Sequence, residues 1–338
     1  MVRRIEQQQQ KAVNWMIPGN ESVLEVTIGY EQVAVDLTAN LAKNEPDPYA
    51  KSVLDFALLE DFDHLYRYAN LLDLTQKKSA GEITGKYTEI MPGRPTSLEH
   101  RHPFDDVRKH YDDKKAHPLT KLHAMAITAA EQQTMNFYMN AGNRAEDELG
   151  RGLYLEIAQI EEQHVTHYES LLDPNCSWFK MLLLHEYTEC YLYYSMMEHE
   201  EDSKVKKIWE EHLDQEIEHL KIACDLMKKH EKRDPERLLP ATMPDKLVIF
   251  ESNVDYVRDV MARQTDLNAV ETEFVPSAKM PKHGRYQDYQ TAVNAHGVPS
   301  SDVIRGRIQE RGEDYRQELA GPHPVEKFRA RNGQAKAA

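Results

Sequence analysis

An all-α fold follows from three observations on the sequence. Apolar residues recur at helical spacing over long tracts, β-type alternation is almost absent, and one acid-x-x-His pattern returns along the chain at matching intervals. The expected architecture is a four-helix bundle extended by a further helical hairpin of the same kind and by a C-terminal helical arm.

Six long helices are expected over residues 22–43, 48–74, 119–141, 144–172, 177–200 and 203–231. Asp47-Pro48 starts the second of these and Asp173-Pro174 ends the fourth, because Pro is tolerated in a first turn and cannot continue a helix. Residues 75–118 are polar, contain Pro92-Gly93, and read as a long crossover over the surface. Past Asp234-Pro235 the pattern weakens. Amphipathic helices are expected near 247–267 and 301–319, within an arm that packs on the bundle or on a neighbouring subunit, and 327–338 are expected to fray. The chain thus divides into an N-terminal hairpin (1–74), the crossover (75–118), a bundle (119–232) and the arm (233–338).

The bulk properties narrow the function. Forty-two basic residues against 57 acidic ones give a net charge of -15, a surface that repels phosphate backbones and argues against nucleic acid as a partner. Cys176, Cys190 and Cys224 form no CxxC pair, which points to a reducing compartment and against a sulfur-ligated metal centre. The first residues are polar and Gln-rich, with no apolar run of signal-peptide type, and no stretch approaches a membrane span. The expectation is a soluble, cytoplasmic protein.

The repeat carries the chemistry. Glu31, Asp61, His64, Tyr68 and Leu71-Leu72-Asp73 return 100 positions later as Glu131, Glu161, His164, Tyr168 and Leu171-Leu172-Asp173. A further 55 positions carry Glu131, Glu161 and His164 onto Glu186, Glu216 and His219. An acid and a His three apart share one helix face and can reach one ion. Tyr154, Ile157, Tyr168 and Leu171 continue the stripe of Glu161 and His164, and Leu213, Ile217 and Leu220 flank Glu216 and His219, so these ligands point inward. Glu99-x-x-His102, in the polar crossover with no apolar stripe, reads as a chance copy. Two facing hairpins place four carboxylates and two imidazoles around one cavity. Burying ions costs several kcal/mol each unless they are compensated, and two divalent cations balance four carboxylates.

Around these residues the chain resembles the rubrerythrins of the ferritin-like superfamily. Glu131-Gln132-Gln133-Thr134-Met135-Asn136-Phe137-Tyr138 is similar to their first bundle helix. Glu161-Glu162-Gln163-His164 and Glu216-Ile217-Glu218-His219 are similar to their two Glu-x-x-His motifs, and Glu186-Tyr187-Thr188-Glu189 to their third helix. The resemblance covers about residues 119–231. It implies a non-haem di-iron oxidoreductase acting on peroxide or O2, with manganese as a possible substitute for iron. It also implies metal ligands at Glu131, Glu161, His164, Glu186, Glu216 and His219, a mobile catalytic Glu189, and a Tyr near the irons at Tyr194. Rubrerythrins carry a module with two CxxC pairs that this sequence lacks, so an external electron-donor protein is expected.

The sequence leaves a rival bundle open. His164 and Glu186 are 22 positions apart, while crossing a bundle takes about 18–24 Å and five extended linker residues reach at most ~17 Å. The segment between Leu74 and Leu119 is long enough for that crossing, so a bundle built on Glu31, Asp61, His64, Glu131, Glu161 and His164 competes with the one on the second and third hairpins. Residue matching favours the latter. It leaves the first hairpin unpaired, from which a homodimer or higher homo-oligomer with facing first hairpins is expected. Iron storage with ferroxidase activity, and a metal-stabilised structural protein, are the competing functions.

Overall fold

Side-chain caps start the helices that carry the architecture. In the computed structural model, which describes residues 2–85, 87–95, 104, 107–312 and 322–329, α1 (Val2–Met16) leads into α2 (Val23–Asn44) and α3 (Pro48–Gln76). Ser22 and Glu25 form a reciprocal capping box at α2, and Asp47 accepts from the Tyr49 and Ala50 amides ahead of Pro48. A short α4 (Ala80–Thr84) opens the crossover. Then come α5 (Pro118–Gly142), capped by His117, α6 (Glu148–Glu169), capped by Asp147, α7 (Trp178–His199), capped by Ser177, and α8 (Ser203–Glu231), capped by Asp202. The chain is thus mostly helical, as expected, and none of its described helices is long and apolar enough to cross a membrane.

Three hairpins form: α2 with α3, α5 with α6, and α7 with α8. The central helix is α3. Every residue from 53 to 72 is buried, the signature of a helix enclosed on all sides. Ile28 and Val35 of α2, Phe62, Leu65 and Tyr68 of α3, Tyr138 of α5, and Leu153 and Ile157 of α6 share one core. The first two hairpins therefore share one four-helix core. The crossover between α3 and α5 supplies the length that the 22-position link from His164 to Glu186 lacks. The third hairpin lies alongside, with α7 against α5 through Leu119, Leu122, Tyr187 and Tyr191. The first hairpin buries its inner face inside its own chain.

The crossover is fastened to the bundle at two arginines. The Arg94 amide donates to Leu59 O at 2.9 Å and its guanidinium lies 3.9 Å over the Phe56 ring. Arg108 Nε donates to His167 Nδ1 at 2.9 Å, and burial together with the Arg108 charge pushes that imidazole well below its ordinary pKa. Gly93 permits the close approach, since a Cβ there would stand 2.3 Å from Leu59 O. Residues 96–103, including Glu99 to His102, lie outside the described residues.

The arm packs on its own bundle. Its α9 (Val254–Gln264) inserts Val257, Val260 and Met261 into the core. Helices α10 (Gly284–Val293), α11 (Pro299–Arg311) and α12 (Glu326–Arg329) follow. Ser300 N and Oγ both donate to Glu156 at 2.9 Å, and Arg311 Nε donates to Asp73 at 3.0 Å. Two segments differ from expectation. Helix 247–267 is shorter and gives way to an antiparallel hairpin of β1 (Leu267–Val270) and β2 (Glu273–Pro276), turned at Glu271 with φ 54°. The expected helix 301–319 is seen as α11, and 313–321 and 330–338 lie outside the described residues.

Candidate metal centre

Helical periodicity brings one acid or one acid–His pair from each bundle helix to a common point. Glu31 comes from α2, Asp61 and His64 from α3, Glu131 from α5, and Glu161 and His164 from α6. All six are at most 1% exposed. Asp61, Glu131, Glu161 and His164 each offer a ligand atom within 4.8 Å of the others, and so do Glu31, His64 and Glu161. The two groups share Glu161.

The imidazoles are differently held. His164 turns Nδ1 to the acids, 3.2 Å from Asp61 Oδ1, 3.4 Å from Glu161 Oε2 and 3.7 Å from Glu131 Oε2. Its Nε2 points away and meets Glu60 Oε2 at 2.7 Å. A carboxylate on the far nitrogen fixes tautomer and ring orientation in metal-ligating histidines. His64 Nδ1 lies 3.1 Å from Glu161 Oε1, but its Nε2 has no hydrogen-bond partner. Tyr138 donates its hydroxyl to Glu31 Oε1.

Without cations this group can persist only by taking up protons. Burial first, then repulsion from Glu161, drives Glu31 well above the ordinary carboxyl value. Burial with Asp61 and Glu161 does the same to Glu131, and burial raises Asp61 against the pull of His164. Burial opposes ionisation of Glu161 as well, yet the adjacent imidazoles of His164 and His64 hold it well below 4.5. Burial likewise opposes the His164 imidazolium, and Asp61 overcomes it and holds that group well above 6.5. Glu31 Oε2, Asp61 Oδ1, both Glu131 oxygens, Glu161 Oε2, His64 Nε2 and His164 Nδ1 are buried without hydrogen-bond partners. Such orphaned groups are rare in a finished core. Their donor set fits a pair of divalent ions in charge and in chemistry.

The six ligands expected from the second and third hairpins are therefore divided. Glu131, Glu161 and His164 lie with Glu31, Asp61 and His64, while Glu186, Glu216 and His219 lie apart with Glu6 of α1. In that second group His219 Nδ1 is 3.0 Å from Glu216 Oε2, 3.1 Å from Glu6 Oε1 and 3.8 Å from Glu186 Oε2. Glu189 belongs beside these acids. Burial, then Glu216, pushes the carboxyls of both Glu186 and Glu189 to about 7. Sequence reasoning missed Glu60 and Glu6. Glu60 directly precedes a ligand, and Glu6 sits three residues from Gln9 on a helix that was not foreseen.

The fold and the two groups define an all-helical protein with buried carboxylate–histidine clusters able to hold metal ions. Comparison with protein-family models, curated proteins and solved structures finds no match to this chain.

Proposed function

We propose that the chain is a ferritin-like di-metal carboxylate protein that holds two iron ions between α2, α3, α5 and α6 and reduces peroxide or O2. The observation that carries the reading is the pair of buried ligand groups joined through Glu161. Bundles of this class draw one Glu from each of two helices and Glu-x-x-His from each of the other two. Here Glu31 and Glu131 are the single acids, Glu161-x-x-His164 is one motif, and Asp61-x-x-His64 is the other with a shorter acid.

Asp61, Glu131, Glu161 and His164 would hold one ion, and Glu31, His64 and Glu161 the second. Bound iron supplies reversible one-electron chemistry at two adjacent centres; manganese suits the same oxygen-rich donors. The chain's own residues do the rest. Glu60 orients His164, Tyr138 holds a proton at Glu31, and the enclosing core keeps bulk water out. Enclosure at 1% exposure or less also selects the oxidant by size, favouring peroxide or O2 over organic substrates. Peroxide reduction to two waters consumes two electrons and two protons. No CxxC pair in this sequence can supply the electrons, so an external donor protein belongs to the proposal.

The test is peroxide and O2 consumption by the iron-loaded protein with a chemical reductant. Turnover matched to reductant oxidation, and lost in Glu161→Ala, is the expected result. A protein that binds two irons yet consumes neither oxidant faster than Glu161→Ala contradicts the redox reading and leaves a metal-stabilised structural role.

A further inference from the structure

The third hairpin repeats half of the bundle centre and, among the described residues, has no partner hairpin. Glu186, Glu216 and His219 stand 55 positions beyond Glu131, Glu161 and His164. What faces them is the N-terminal helix, which lays Glu6 and Gln9 across the open side. Glu6 Oε1 reaches His219 Nδ1 at 3.1 Å, and the ligand atoms of Glu6, Glu186, Glu216 and His219 lie within 4.8 Å of one another. Gln9 Nε2 donates to Glu216 Oε1 at 2.6 Å and to Gln215 Oε1 at 3.0 Å.

Two further observations point to a ligand. His212 precedes Glu216 by one turn on the same face of α8, is 4% exposed, and has no hydrogen-bond partner for its Nδ1. A buried imidazole nitrogen left bare one turn from Glu216 is an unused acceptor at the edge of this group. The second observation is the attachment of α1. Its single fully buried residue is Gln9, a polar one, and Trp15 near its end is 76% exposed. A 15-residue helix is marginal alone, and the apolar stripe of this one, Val2, Ile5, Ala12, Val13 and Met16, is only half-buried on either side of Gln9. Its hydrogen bonds and ion pair with α8, at Glu6 and Gln9, add to that attachment.

We infer that Glu6, Glu186, Glu216 and His219 form a second metal site, for one divalent cation of the Mn2+ or Fe2+ type, separate from the bundle centre and closed by α1. Three carboxylates and one imidazole suit such ions better than a thiolate-seeking metal. The bound ion bridges α1 and α8, so occupancy orders the N-terminal helix. The site does not depend on the chemistry proposed for the bundle centre.

Titration of the metal-free full chain with Mn2+ tests the inference, with bound metal counted by electron paramagnetic resonance and tryptic cleavage after Lys11 followed in parallel. The expected count is three ions per chain. Glu6→Ala should weaken one of them by at least about tenfold, given that even an outer-shell partner is worth 10–100-fold in affinity. Mn2+ should slow cleavage after Lys11 in the parent and not in Glu6→Ala, a variant at a half-exposed position outside the bundle. Should the bundle centre fail to bind, a single ion sensitive to Glu6→Ala remains, and the second site stands. Two ions insensitive to Glu6→Ala, or Mn2+-independent cleavage after Lys11, would overturn it.

Discussion

His164 Nε2 lies 2.7 Å from Glu60 Oε2 while its Nδ1 faces Asp61, Glu131 and Glu161. The matching nitrogen of His64 has no such partner, and the residue 100 positions beyond Glu60 is Ile160. The two halves of the centre are thus unequal by one carboxylate. An oriented imidazole binds better than a free one, so the ion at His164 should bind first and more tightly. Glu60→Gln should cost that ion about 10–100-fold in affinity and bring the two binding steps together. Calorimetric titration with Mn2+ checks this. Two well-separated steps retained in Glu60→Gln would show that Glu60 does not set the order.

Stability should depend on pH in opposite senses with and without metal. Burial, then Glu216, raises Glu186 and Glu189 to about 7 from an ordinary 4.5, and burial raises Asp36 to about 6 from 3.8. The metal-free folded chain therefore binds more protons than the unfolded chain between about pH 4 and 7. Its stability should rise as pH falls through that window. His164, held above 6.5 chiefly by Asp61 against burial, acts in the same sense; His167, held well below 6.5 by burial and Arg108, opposes the more numerous raised carboxyls, and Glu161 opposes them only below 4.5. Protons compete with metal for the same atoms, so the loaded protein should lose stability over the same range. Melting curves at pH 8, 6.5 and 5 separate the cases. A metal-free protein that melts lower at pH 5 than at pH 8 would contradict the account.

Gly93 is where the crossover backbone touches α3. Its amide donates to Asp63 Oδ1 at 3.2 Å, and an added Cβ would stand 2.3 Å from Leu59 O and 3.0 Å from Asp63 N. Backbone atoms at both contacts leave nothing flexible to move aside. Gly93→Ala should destabilise the protein by about 1–3 kcal/mol, the usual cost of overpacking. Urea unfolding measures it, and a loss below about 0.5 kcal/mol would mean that the crossover shifts freely.

Much of this was legible because it is local. Asp47-Pro48 marks a helix start that the structure keeps, the starts expected at 177 and 203 fall within a residue of those observed, and the acid-x-x-His spacing placed Asp61 with His64 and Glu161 with His164 on inward faces. The pairing of hairpins is a different kind of fact. Three hairpins carry one pattern, so residue identity alone could not say whether Glu161 would meet Asp61 or Glu216. Matching to a known family chose Glu216. Chain reach, through the 22-position link after His164, pointed to Asp61, and the structure follows reach. Helix α1 was missed because the Gln-rich run at its centre interrupts the apolar stripe of Val2, Ile5, Ala12, Val13 and Met16; Gln9, in the middle of that stripe, bonds to α8 instead. The β1–β2 hairpin is only four residues a strand, too short for alternation to register.

The central claim is that the first two hairpins would hold a pair of metal ions, with Glu161 belonging to both ligand groups. The most direct measurement is metal analysis of the purified protein together with an anomalous-scattering map at the iron and manganese edges. Two peaks should lie within the bundle, one among Asp61, Glu131, Glu161 and His164 and one among Glu31, His64 and Glu161. Both should vanish in the Glu161→Ala, His164→Ala double variant while the protein stays helical. Metal bound in unchanged geometry in that variant, or a metal-free bundle whose melting temperature equals that of the metal-treated protein, would contradict the account.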